Sequence, residues 1–276
     1  MKISFCTQAM NRTEHVRVTL KQNLKAVHDY ERVEFILVDF NSTDGLEQYV
    51  KDELQEYIDR DILFYYKTDD PKYYHNSKAK NLSHRLSTGD VIVNMDADNL
   101  FCNDPYSESF SFWIIKMFLS YGNKIILNPI YQSSVGGRII TSSKTFYDLG
   151  GYDETFEAWG WEDADFYQRA LLYGAIPYVI DEKFCCAYHH TNRIRLANYD
   201  PKVLETYNEN VQSEQQRADI VDSYFLYTTQ DMIKYFGTKN YDSYRRHIDE
   251  RIIKVNPNGF QKYKVYKNFS TEGIVV

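Results

Sequence analysis

Three short runs hold most of the residues that could do chemistry. "VIVNMDADN" places Asp96 and Asp98 either side of Ala97 at the end of an apolar stretch. On a strand the two carboxylates would point the same way. Paired oxygen donors there suit a divalent cation that also binds a diphosphate. The plainer reading is two solvated aspartates before the turn "NDP". "FCCAYHHTN" ends in His189 and His190. Strand alternation sends the two rings to opposite faces, so at most one is a ligand. Imidazole added to carboxylates favours Mn²⁺ or a related ion over Mg²⁺ alone.

The third run is "AWGWEDADFYQRA", residues 158–170. Glu162, Asp163 and Asp165 follow directly on Trp159 and Trp161. A helix starting near Glu162 would welcome acids in its first turn, because its dipole is positive there. That explains Asp165, and both tryptophans could be packing residues. Gly160, however, keeps the tryptophans out of the helix and lets a backbone approach a ligand. Indole faces also stack on the C–H faces of sugars. One of these carboxylates is therefore a candidate catalytic group walled by rings. A fourth run, "VDFNSTDG", offers Asp39 and Ser42. Capping of the next helix accounts for Ser42. Asp39 ends a buried strand, and its carboxylate could accept hydrogen bonds from a base N–H.

The elements that must position these groups alternate in type. Strands are expected at 2–6, 33–40, 62–67 and 90–97, with helices at 12–28, 46–58 and 76–87 between them. "VEFILVDF" is almost continuously apolar, as in a strand covered on both sides. The βα rhythm predicts a doubly wound, mostly parallel sheet, with ligands beyond the carboxyl ends of its strands. After residue 100 the rhythm loosens. A helix near 106–121, strands at 124–128 and 176–180, a helix at 143–150 and a last strand within 184–190 are expected. From about 196 the chain reads as polar and helical.

Composition narrows the function. The chain has 276 residues, 43% hydrophobic and 26% charged, enough for a large folded domain with an appendage. A net charge of −7 argues against nucleic acid as a partner. No apolar run is long enough to span a membrane or to act as a signal peptide. The four cysteines (6, 102, 185 and 186) form no CxxC, so free thiols in a reducing, cytoplasmic setting are expected. The 25 tyrosines are read mainly as half-buried packing.

Taken in order, "ISFCTQAMNR", "VDFNSTDG", "KAKNLSHRLSTGDVIVNMDADN", "GGYDE" and "WGWEDADF" resemble the GT-A glycosyltransferases. The likeness is to family 2, near the chondroitin polymerase and beta-1,4-galactosyltransferase branch. It covers roughly residues 2–195 and implies a nucleotide-sugar donor, usually UDP-linked, with Mn²⁺ or Mg²⁺. By resemblance, Thr7 and Arg12 line the nucleoside, Asp39 reads the base and Lys80 lies near the donor phosphates. Asp96 is the ribose- or metal-side aspartate, with Ala97 and Trp161 also on the donor. Asp98 and His189 bind the metal, His190 being the other candidate. Asp163 is the base, and Glu162 holds the acceptor sugar. Two departures are the absence of a double aspartate in "VDFNSTDG" and Lys80 in place of the usual Arg, which forgoes a bidentate phosphate contact.

The expected organisation is a GT-A catalytic domain over 1–195. Its nucleotide-sugar half covers about 1–100 and its acceptor half about 101–195. A mostly helical extension, 196–276, packs on that core. The implied reaction is metal-dependent, inverting transfer from a UDP-sugar to a hydroxyl of a glycan or glycoconjugate. Three alternatives come from other classes. A nucleotidyltransferase acting on a sugar phosphate should carry a Gly-rich loop after the first strand, and "TQAMNRTE" has no glycine. A metal phosphohydrolase needs more His/Asp clusters. A catalytically inactive glycan-binding relative would have no use for both DxD and "WED".

Overall fold

The computed structural model describes residues 1–26, 32–101, 109–129, 135–157, 160–188, 190, 194, 197–202 and 238–276. The first half runs β1 (Ile3–Ala9), α1 (Thr13–Ala26), β2 (Val33–Phe40), α2 (Leu46–Glu53), α3 (Gln55–Asp59), β3 (Leu63–Thr68), α4 (Asn76–Arg85) and β4 (Val91–Asn94). β5 (Asn99–Leu100), α5 (Phe110–Tyr121), β6 (Ile125–Asn128), β7 (Ile140–Ser142) and α6 (Ser143–Asp148) follow. The chain continues with α7 (Glu162–Tyr173), β8 (Ile176–Val179), β9 (Cys186–Ala187), α8 (Thr238–Asp249), β10 (Lys264–Lys267) and β11 (Gly273–Val275).

Nine strands form one sheet in the order β11-β10-β3-β2-β1-β4-β7-β6-β8. Its centre, β3-β2-β1-β4, is parallel, as the βα rhythm requires. β7 enters antiparallel beside β4, and β10 antiparallel beside β3. The apolar run of β2 is shared between two cores. Phe35 and Leu37 pack with α1, α2 and α5 on one face. Ile36, Val38 and Phe40 pack with α4, α6 and α7 on the other. Each such side chain contributes about 1.5–3 kcal/mol of burial, so neither face can be exposed cheaply.

The boundaries differ from expectation in three informative places. The helix expected over 46–58 is two helices, broken at Leu54. β4 stops at Asn94, short of the aspartates. The Asn94 N–H pairs with the Ile139 carbonyl and the Met95 N–H with the Cys6 carbonyl, after which Asn99 turns back onto Asp96. Asp96 and Asp98 therefore lie on a turn, and the expectation that they share a strand face is corrected. The described part of the extension contributes one helix and also two strands of the central sheet.

Cys6 and Cys185 are free thiols, but Cys186 is disulfide-bonded. That corrects the free-thiol expectation there and removes cysteine usage as support for a reducing compartment. No helix among the described residues is long and apolar enough to cross a membrane.

Candidate active site

The carboxyl ends of β1, β2 and β4 face the N-termini of α4 and α7, and charged side chains meet between them. Lys80, from α4, is only 3% exposed. Its ammonium donates to Asp163 Oδ1 at 2.7 Å and to Glu162 Oε1 at 3.0 Å. Burial alone would push Lys80 down, but Asp163, Glu162 and Asp96 outweigh it and hold it well above its ordinary value. Glu162 is almost fully enclosed. Its Oε1 also accepts from Asn76 Nδ2 at 3.0 Å, and its Oε2 from the Gly160 N–H at 3.1 Å.

Asp163 is the more open of the pair, with its side chain 25% exposed. Burial raises its pKa, Lys80 opposes this, and the negative charges of Glu162 and Asp96 add to the rise. The net effect is a carboxyl well above the usual range, suited to taking a proton near neutral pH. Asp96 is likewise raised, first by burial and then by Asp98 and Glu162, against Lys80.

Gly137 separates the two carboxylates. A Cβ there would sit 2.6 Å from Asp96 Oδ2 and 3.0 Å from Asp163 Oδ2. Asn94 fixes this arrangement, donating from Nδ2 to the Gly137 carbonyl at 2.8 Å and to Asp96 Oδ1 at 3.2 Å. The structure thus joins Lys80, Asp96, Glu162 and Asp163 into one cluster.

Asp98 turns the other way. Its Oδ2 shares a 2.9 Å hydrogen bond with His190 Nε2, and Asn99 Nδ2 donates to its Oδ1 at 2.8 Å. The Tyr188 N–H donates to the Asp98 carbonyl at 2.7 Å. The short β5–β9 ladder pairs Asn99 with Ala187 and so brings the segments of Asp98 and His190 together. His189 lies outside the described residues, and His190 is the imidazole seen on Asp98. The His15 ring stands edge-on to His190, 5.1 Å between centroids, and its buried Nε2 has no partner among the described residues. Burial first, and Arg12 next, lower the His15 pKa, which keeps the ring neutral.

The residues expected on the nucleoside side are placed less openly. Thr7 is buried within β1, and Arg12 donates to the Ile194 carbonyl. Asp39 is fully buried. Its Oδ1 accepts from the Ser42 N–H at 2.7 Å and its Oδ2 from Tyr65 Oη at 2.6 Å, so it shapes the 41–45 loop. The Ala97 carbonyl accepts from Thr19 Oγ1 at 2.7 Å. Trp161 lies apart from this group, its ring against Tyr241 and Tyr244 of α8.

Two sequence families match. Residues 4–110 match Glycosyl transferase family 2, and residues 123–190 match the N-terminal domain of galactosyltransferase. The chain has the GT-A glycosyltransferase fold and is family 2-like. The GT-A likeness extends to solved structures. S. aureus TarS 1-349 in complex with UDP-GlcNAc is 14% identical, with a TM-score of 0.57 over 92% of this chain and 84% of that one. A longer S. aureus TarS structure gives 15% identity and a TM-score of 0.55 over 84% of this chain, which spans only 45% of that protein. The Pyrobaculum calidifontis mannosyltransferase PcManGT, in complex with GDP-Man and Mn²⁺, is 16% identical, with a TM-score of 0.50 over 87% of this chain and 69% of that one. No curated protein matches the chain at a significant level.

Within the GT-A frame, sequence reading missed Arg138. It is fully buried between the cluster and the β5–β9 ladder. It donates to Asn99 Oδ1 at 3.3 Å, to the Leu100 and Cys186 carbonyls at 3.0 and 3.3 Å, and to the Phe184 carbonyl. Burial lowers its pKa to about 10, which leaves it charged at neutral pH. The one sequence signal was an arginine after "GG" in an otherwise β-like run. Arg138→Ala strands several acceptors, each costing about 1–3 kcal/mol when buried unpaired. We expect a stability loss of roughly 3 kcal/mol or more, read from the urea midpoint at unchanged m-value. A loss below about 1 kcal/mol would show that water replaces the guanidinium and that it holds nothing in place.

Proposed function

We propose that the protein transfers a sugar, with inversion, from a UDP-sugar to a hydroxyl of a glycan or glycoconjugate, using a divalent metal. The observation that carries this reading is Asp163: a partly open carboxyl with a raised pKa, on a helix N-terminus, across one glycine from Asp96. In this reading Asp163 takes the proton from the attacking acceptor hydroxyl. Lys80 keeps enough positive charge beside Asp163 for it to ionise. Glu162, tied down by Asn76, Lys80 and Gly160, fixes the start of α7 and presents the acceptor edge of the site. Thr7, Arg12 and Asp39 belong to the wall around the nucleoside, Asp39 through the loop it holds.

Asp98 and His190 fit a hard or borderline cation. Their donor atoms are 2.9 Å apart, and oxygen plus imidazole suits Mn²⁺. Such an ion would offset charge growing on the diphosphate leaving group. The identity of the hexose or N-acetylhexosamine is set by contacts with the sugar ring. TarS with UDP-GlcNAc and PcManGT with GDP-Man and Mn²⁺ are consistent with a nucleotide-sugar donor for this chain.

A thermal-shift screen of UDP, GDP and their sugars, with and without Mn²⁺, tests the reading. A ligand at 100 times its Kd stabilises the native state by about 2.7 kcal/mol. A rise in Tm specific to UDP and dependent on Mn²⁺ is expected. No rise with any nucleotide would sink the proposal.

A further inference from the structure

The helix α8 lies about 80 residues beyond the "WED" run, yet one of its faces holds that run in place. Asn240, Tyr244 and His247 fall at i, i+4 and i+7, with Tyr241 beside them, and so share a face. Asn240 grips the backbone. Its Oδ1 accepts from the Glu157 N–H at 3.1 Å, and its Nδ2 donates to the Glu157 and Gly160 carbonyls at 2.7 and 3.2 Å. Tyr241 and Tyr244 pack against the Trp161 ring at 4.9 and 5.0 Å between centroids.

His247 is buried between two acids. Its Nδ1 lies 2.6 Å from Asp165 Oδ1 and its Nε2 3.4 Å from Asp153 Oδ2. Arg169 completes the set. Its Nε donates to Asp165 Oδ2 at 2.7 Å, and its other nitrogens reach the Leu149, Gly151 and Ile253 carbonyls. Asp165 is thus more than a helix-terminus acid. It is the tie between α7 and α8.

The backbone explains why such a grip is needed. Trp161, directly before Glu162, has φ 73° in the left-handed region, which a non-glycine residue adopts only under strain. Gly160 before it has φ 102°. This double bend sets the direction in which α7 leaves the loop, and hence where Asp163 points. Without outside contacts the bend would relax toward ordinary conformations.

We infer that α8 is a positioning element for the proposed base: its Asn240, Tyr244 and His247 face holds the strained Gly160–Trp161 bend that aims Asp163. This rests on the glycosyltransferase reading, and the test separates the two. Asn240→Ala and, independently, Tyr244→Ala are compared with wild type and with Val265→Ala, a cavity variant in the buried core at β10. Two readouts are taken. Amide hydrogen exchange over 157–165 needs no activity. UDP release with Mn²⁺ from UDP-GlcNAc, UDP-GalNAc, UDP-Gal and UDP-GlcA gives kcat and KM.

Both α8 variants are expected to exchange at least 10-fold faster over 157–165, with the central strands unchanged. Their kcat should fall about 10²-fold, the scale of a roughly 1 Å misplacement, with donor KM within twofold of wild type. Val265→Ala should keep wild-type kcat. Unchanged exchange in both α8 variants overturns the grip. Faster exchange with unchanged kcat, or a kcat loss matched by Val265→Ala, overturns the positioning role. A wild type that releases no UDP from any donor counts against the glycosyltransferase reading, while the exchange comparison still decides the grip.

Discussion

Asp163→Asn is expected to lower donor turnover by about 10²–10⁴-fold, the usual contribution of a positioned general base, and to leave UDP binding within twofold. The change keeps size and shape but removes the lone pair that would take the acceptor proton. Lys80 retains Glu162 as a partner at 3.0 Å, so the cluster is not left with an unpaired ammonium. The pH dependence should change too. Burial, with Glu162 and Asp96 nearby, raises the Asp163 pKa against the pull of Lys80, so the free protein holds it protonated further up the pH scale than an ordinary carboxyl. A base works only when deprotonated. Wild-type kcat/KM should therefore rise with pH along a limb well above pH ~4, the ordinary carboxyl value, and the variant should lack that limb. Near-normal turnover by Asp163→Asn would remove Asp163 from the role of base.

Gly137→Ala is expected to be nearly as damaging by a different route. The added methyl would sit 2.6 Å from Asp96 Oδ2 and 3.0 Å from Asp163 Oδ2, so both carboxylates must move. Gly137 does not adopt a left-handed φ, so the substitution tests space rather than backbone strain. Overpacking of this kind costs about 1–3 kcal/mol of stability, which a native ensemble survives. Displacement of two reacting-side carboxylates should cost about 10²-fold or more in turnover. If Asp96 serves the donor side, as proposed, UDP binding should weaken as well, unlike in Asp163→Asn. Parallel calorimetric titrations of UDP with Mn²⁺ would distinguish the two variants. An alanine variant with normal turnover and normal UDP affinity would mean that the gap beside Gly137 is unused.

Much of the frame was legible because it obeys short-range rules. The continuous apolar run at 33–40 announced a strand covered on both faces, and acids after Trp161 announced the start of α7. The fate of Asp96 and Asp98 was not legible in the same way. Where their side chains point depends on where β4 stops pairing, and that is decided by Ile139 and Cys6, far along the chain. Arg138 gave almost no signal, since a buried arginine bonded mostly to carbonyls looks like any surface cation in a sequence. The role of α8 was hidden for a related reason. Its gripping face is Asn, Tyr and His rather than Leu or Val, so hydrophobic periodicity reports a polar helix. The resemblance places Lys80 near the donor phosphates, and in the structure it is bonded to the two acids of α7, a pairing that its sequence context does not announce.

The placement of β10 has a consequence for how the protein is made. Tyr266 pairs with Lys67 roughly 200 residues earlier. At about 5–20 residues per second, translation leaves the outer edge of β3 without its neighbour for roughly 10–40 s. During that interval an unpaired strand edge is available to other chains. The Lys67 ammonium, held by Glu47 at 2.9 Å, puts a charge on that edge from the start. Slow, late closure of the sheet is thus built into the connectivity, and the newborn chain depends on a charged border until its last strands arrive.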